Sequence, residues 1–290
     1  MIRKILIALL LITTFTLSAQ RTNSSPYSFF GIGDEFNATT VEQSAMGGIG
    51  VAYSHYKYLN FTNPAANADL RVATYALGGS LSFLTLKEEN SSQSGNSTNL
   101  RYISFGFPIG KKAGLSVGLQ PFSSVGYSSY DNQSDTEATL YRGEGGTNKI
   151  YIGFGTSVFK GLSLGLEAGY IFGSLENSIL NERTNVSLVT KYEENVNIRG
   201  GQFKLGAKFE KELKNKLNLY SGASITLNSN LSAKGNEKMY SRPLRAKVLN
   251  DSYRIDRFVP RTIWLKNKRQ ILDLFLSFEE SKDALDPYEK

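Results

Sequence analysis

The 290-residue chain contains no cysteine, one histidine and one tryptophan. With no thiol there is no disulfide framework, no thiolate nucleophile and no cysteine-ligated zinc or iron centre. A lipoprotein anchor on a leader-proximal cysteine is disfavoured for the same reason. A Ser-His-Asp triad or an HExxH zinc site would have to use His55, which sits in the aromatic, polar run Tyr53-Ser54-His55-Tyr56-Lys57-Tyr58 and reads as a surface histidine. Long apolar runs are missing too. After the leader no segment of 18 apolar residues occurs, which excludes a spanning helix but not spanning strands.

The leader comprises Arg3-Lys4, an apolar run from Ile5 to about Phe15, and the small-residue site Leu17-Ser18-Ala19. These are the three zones of a secretory signal peptide, with cleavage expected near Ala19. The net charge of +7 includes the leader's Arg3 and Lys4; much of the rest gathers between Arg242 and Arg269. We read that cluster as a solvated basic stretch rather than a polyanion-binding tail, with no nucleic acid as partner.

What the chain does have is alternation. Ile150, Ile152, Phe154, Thr156 and Val158 share one strand face, opposed by Tyr151, Gly153, Gly155 and Ser157. After the tight Phe159-Lys160-Gly161 link, Leu162, Leu164, Leu166, Ala168, Tyr170 and Phe172 oppose Ser163, Gly165, Glu167 and Gly169. Two strands of about 10 residues, greasy on one side and small or polar on the other, form a hairpin of bilayer-crossing length. The pattern recurs over residues 73–83, 101–109, 115–121, 203–209 and 217–227, giving about eight clear or probable strands before residue 232. Short links near 110–113, 160–161 and 211–216 alternate with long polar stretches near 88–99, 127–148 and 176–196, which read as loops. Sorted loop lengths, together with a Gly/Ser/Tyr face behind each apolar stripe, predict an all-β, antiparallel transmembrane β-barrel of outer-membrane type. A secreted β-sandwich adhesin is the soluble alternative.

The expected organisation is a signal peptide over 1–19, an N-terminal hatch or plug segment over 20–70, barrel strands over 71–235 and an atypical basic segment over 236–290. All 27 glycines lie at or before Gly235. The last segment also loses clean alternation, so it reads as a truncated or frame-shifted end, or else as a barrel completed differently. Ile271–Phe278 followed by 279–290 reads as a helix end or tail. Asp131, Asp135, Glu137 and Glu144 fall in one expected loop and read as solvated carboxylates rather than a divalent-ion site. Gly48-x-Gly50 is no dinucleotide fingerprint, since Tyr53 holds the third glycine position and no βαβ unit follows. No catalytic, metal or cofactor site is expected, and the protein is not expected to be an enzyme.

Ala45-Met46-Gly47-Gly48-Ile49-Gly50-Val51-Ala52, followed by Asn63-Pro64-Ala65, resembles the N-terminal hatch of FadL-like outer-membrane transporters; Ser25–Asp34 resembles their Bacteroidetes-type members. The resemblance implies a plugged barrel that passes long-chain fatty acids or aromatic hydrocarbons, with Gly47, Gly48, Gly50, Asn63, Pro64 and Ala65 as the hatch motif. The implied partners are outer-membrane lipid and hydrophobic small molecules. The second hypothesis is a structural or type IX secretion accessory barrel without transport, docking other envelope proteins. From the residues alone, the glycines supply close approach and Asn63-Pro64 makes a turn.

Overall fold

A computed structural model describes residues 25–87, 92–134, 136–183, 186, 188–213, 217–227, 230–243, 254–255, 261–266 and 272–280, with side chains through residue 241 apart from a few positions. The expected signal peptide therefore lies outside the described residues, as does most of the basic segment.

The protein is all-β. Among the described residues twelve strands build one antiparallel sheet, curled into a half-barrel. Its sides are the long strands β2 (Thr74–Lys87), β3 (Ser92–Ile109), β4 (Ala113–Ser134), β5 (Glu137–Phe159), β6 (Leu162–Arg183) and β7 (Leu188–Glu212), each paired with the next. The C-terminal part of β7 carries β8 (Leu217–Thr226), and its N-terminal part carries β9 (Asn230–Pro243). Beyond them lie β10 (Arg254–Ile255) and β11 (Arg261–Lys266) on β9, and β12 (Leu272–Glu280) on β8. A two-residue strand, β1 (Asp34–Glu35), pairs with β4.

Two expectations need correction. The long polar stretches at 88–99, 127–148 and 176–196 are not loops. Strand pairing continues through nearly all of them, and β4 turns into β5 within two residues. Their Ser, Thr, Tyr and Asn residues satisfy the ladder as well as apolar ones do, but with both faces polar they leave no alternation to detect. Of the run 271–278, residues 272–278 are likewise strand, part of β12, rather than a helix end, since they pair in register with β8.

The outer face carries a continuous apolar band. Read across the ladders, Phe107, Leu115, Phe154, Leu166, Leu205 and Ile225 form one row over six strands. Phe154 is 41% exposed and Leu166 47%. A soluble monomer rarely presents so continuous an apolar surface. The band occupies the half of each strand next to the tight turns at 110–112 and 160–161. At roughly 3.3 Å per residue, the 22 residues of β6 run far past a hydrocarbon core of about 30 Å. Beyond the band, β6 continues with Ser174, Glu176 and Ser178 on its outer face.

Candidate functional site: the N-terminal segment on the inner face

Residues 25–73 pack against the inner face of the sheet, and of the expected motif residues Asn63, Pro64 and Ala65 lie at the centre of the contact, whereas Gly47 and Gly48 are exposed. Asn63 caps a 3-10 turn over Pro64–Asp69, its side chain accepting from the Ala65 N–H at 3.0 Å. Its Nδ2 donates to the Val51 carbonyl at 2.6 Å and to the Ala207 carbonyl of β7 at 2.9 Å. Asn63 and Ala65 are fully buried and Pro64 is buried with them. One short side chain thus closes its own turn, holds the glycine-rich stretch and tethers both to the sheet.

The floor under this turn was not visible in the sequence. Gly114, Gly155, Gly165 and Gly206 pair with one another across β4, β5, β6 and β7, forming a lane four strands wide. A Cβ on Gly114 would land inside the Asn67 carbonyl, on Gly165 inside Pro64-Ala65, and on Gly206 inside the Asn63 side chain. On Gly155 it would stand 2.5 Å from the Pro64 carbonyl oxygen. Period two places each of these glycines on the small face, but only the strand register shows that they align.

Gly50 is needed for close approach, because a Cβ there would collide with the Gln43 amide. Gly47 and Gly48 have φ of +76° and +83° with open space around them, so they serve the turn after α1 (Val41–Ala45). Thr40 and Gln43 form a capping box at the start of that helix. Asn60 completes the knot, with its Oδ1 taking the Gln43 amide at 2.9 Å and its Nδ2 donating to the Gly50 and Tyr53 carbonyls.

Three lysines of the inner face find partners among the described residues. Lys149 meets Glu167 at 2.9 Å with both side chains buried. Lys204 donates to the Phe61 carbonyl at 2.8 Å. Lys208 donates to Ser54 at 2.6 Å and pairs with Asp69. Two lysines of β7 therefore reach up to grip the N-terminal segment. In the sequence they only alternate with Phe203, Leu205, Ala207 and Phe209, which does not disclose what they hold.

His55 stacks on Tyr58 at 4.6 Å, and burial, aided by the Lys57 charge, lowers its pKa. The arrangement is that of a packed ring between Tyr56 and Tyr58. The four acidic residues expected in one loop fall on strands β4 and β5, apart from Asp135, which is outside the described residues. Hydrogen bonds from Asn181 and Arg183 hold the Glu137 carboxyl below its usual range. No cluster of three metal-ligating side chains occurs among the described residues.

A family profile, BamG, matches residues 1–263, nine-tenths of the chain. The chain belongs to the BamG family. No curated protein and no solved structure matches it. BamG membership overturns the FadL-like resemblance, and with it the reading as a porin-like transporter of fatty acids or aromatic hydrocarbons. The residues that carried the resemblance lie within the BamG match. The physical reason is the motif's low information. Any extended segment laid on a glycine floor needs glycines for approach and an Asn-Pro turn, whatever the barrel does. Membership supports the expectation of envelope-protein partners and of an outer-membrane location, and it gives no support to lipid or small-molecule ligands or to a type IX secretion role.

Proposed function

We propose that this chain is a structural, non-catalytic component of the outer-membrane assembly (BAM) complex. The observation that carries the reading is the BamG match over residues 1–263. The geometry agrees with it in two ways. The inner face beside the apolar band is filled by the 3-10 turn on its glycine lane, with polar groups partnered, which suits a sealed, load-bearing element. The outer band faces the bilayer, and each long strand carries its upper half into water where a protein partner docks.

In the outer membrane the sheet belongs to a closed barrel, because lipid tolerates no unpaired strand edge. The N-terminal segment acts as its hatch, and the leader is cleaved near Ala19. The apolar band holds the sheet in the bilayer.

The test is affinity purification of the tagged chain from detergent-solubilised outer membranes, with depletion in parallel. Recovery together with the BAM complex, and loss of folded outer-membrane proteins on depletion, is the expected result. Recovery of the chain alone, with outer-membrane protein levels unchanged, overturns the proposal. Liposome uptake of a labelled fatty acid should stay at background.

A further inference from the structure

The sheet is split. Pairing of β3 with β4 runs from Ile109–Ala113 up to Ile103–Leu119 and stops there among the described residues. Above that point β3 continues with β2 to Ser92, and β4 continues with β5 to Ser134. Two strand edges therefore part above Ile103 and Leu119.

The base of this fork is already used by the chain itself. Residues 34–37 lie in it, with Asp34 and Glu35 paired antiparallel to Ser124 and Ser123. The Phe36 N–H donates to the Phe122 carbonyl at 3.0 Å, and Arg101 of β3 donates to the Asn37 carbonyl at 3.3 Å. Farther up, the Gly126 N–H donates sideways to Ser28 at 3.1 Å. Backbone groups of a strand alternate between its two edges. Phe122 and Gly126 point into the fork, so Ser128 and Tyr130 do as well. A cavity of about 320 Å³ lies at the junction, lined by Phe36, Leu100, Tyr102 and Pro121 among others.

We propose that the fork between β3 and β4 is a strand-addition site, taking an extended, uncharged segment of another BAM-complex protein. The proposal rests on the function given above. The chemistry of the rims selects the occupant. Ser92–Leu100 on one side and Val125–Tyr130 on the other contain no Asp, Glu, Lys or Arg, so recognition is through main-chain hydrogen bonds rather than charge. The exposed rings of Tyr27, Phe30 and Tyr130 lie along the β4 side, next to the Ser28 contact, and supply apolar contacts for alternate side chains of the incoming strand. Residues 34–35 show that the β4 edge accepts an antiparallel partner, and the same edge runs on beyond them.

The experiment compares the wild-type tagged chain with Ser128→Pro in detergent-solubilised membranes. Proline removes one fork-facing N–H and leaves the β5 ladder intact. Recovery of BAM-complex partners should fall about tenfold, with heat-modifiable mobility unchanged. Independently, a photo-crosslinking amino acid at Ser94 or Tyr130, both exposed and both above the level that residues 34–35 fill, should mark one extended segment of one partner, within a few residues of each other along it. This arm needs no altered backbone, so it decides the matter if Ser128→Pro fails to fold. Wild type recovered with the complex but no partner crosslinks at either position overturns the fork as a site. Wild type recovered without the complex overturns the function as well.

Discussion

The lower and upper halves of the same strands are built on opposite principles. In the lower half of β6 the outward residues are Leu164, Leu166, Tyr170 and Phe172, while Ser163, Gly165 and Glu167 look inward. From Ile171 the polarity inverts. Ile171 and Leu175 point inward and join Val125, Tyr127, Ile198, Leu231 and Ala233 in a buried cluster, while Ser174, Glu176 and Ser178 share the other face. The backbone ladder runs through the inversion without a break. Where the outer face is apolar the inner face carries charge and glycine, and where the outer face is polar the apolar residues gather inside. Amphipathicity in this sheet is set by height rather than by strand.

Charge placed on the outer face should separate the halves most sharply. Leu166→Arg, at mid-band, should destabilise the membrane-folded protein by about 2–4 kcal/mol, whereas Ser178→Arg higher on the same face should stay within about 0.5 kcal/mol. Urea titration in lipid bilayers, followed by tryptophan fluorescence or gel mobility, reads both. Equal effects would erase the distinction between the halves.

A smaller effect is expected from the inner face of the lower half. Asn63→Ala leaves the buried Val51 and Ala207 carbonyls without their donor and should cost about 1–3 kcal/mol. Gly206→Ala forces a methyl into Asn63 and should cost a similar amount by overpacking. In both, the expected signature is protease cleavage within residues 25–73 while the sheet stays resistant. Loss of the whole sheet instead would mean that segment and strands are one cooperative unit.

The smallest effect belongs to the outer surface of the upper half. Glu193 takes hydrogen bonds from Lys191 and Tyr240, which hold its carboxyl below the usual range. A depressed folded-state pKa gives stability that is present above the unfolded carboxylate range and is lost as pH falls through the folded value. Glu193→Gln should therefore lower Tm slightly at neutral pH, and the gap from wild type should close under acid. A gap that persists at pH 2 would show that packing, not charge, is responsible.

The lower half was legible in the sequence because each strand there has one apolar and one small face; Ile150–Phe172 gave the hairpin, its faces and its turn. The upper half was not, since polar residues in water and polar residues around a scattered core look like loop. Single residues also differed in how much they disclosed. The Asn63-Pro64 turn was readable because its chemistry is local. Lys204 and Lys208 were not, because their partners lie 143 and 139 residues away, at Phe61 and Asp69. The family was misread from a motif whose residues are dictated by packing.

The glycine lane also sets an order of events. Residues 63–67 leave the ribosome before any of the long strands, yet their resting place does not exist until β4, β5, β6 and β7 lie side by side. Until the fourth of those strands arrives, the oldest part of the chain has no seat, and its apolar residues need another shelter during transit. The last step of folding here belongs to one of the first segments made.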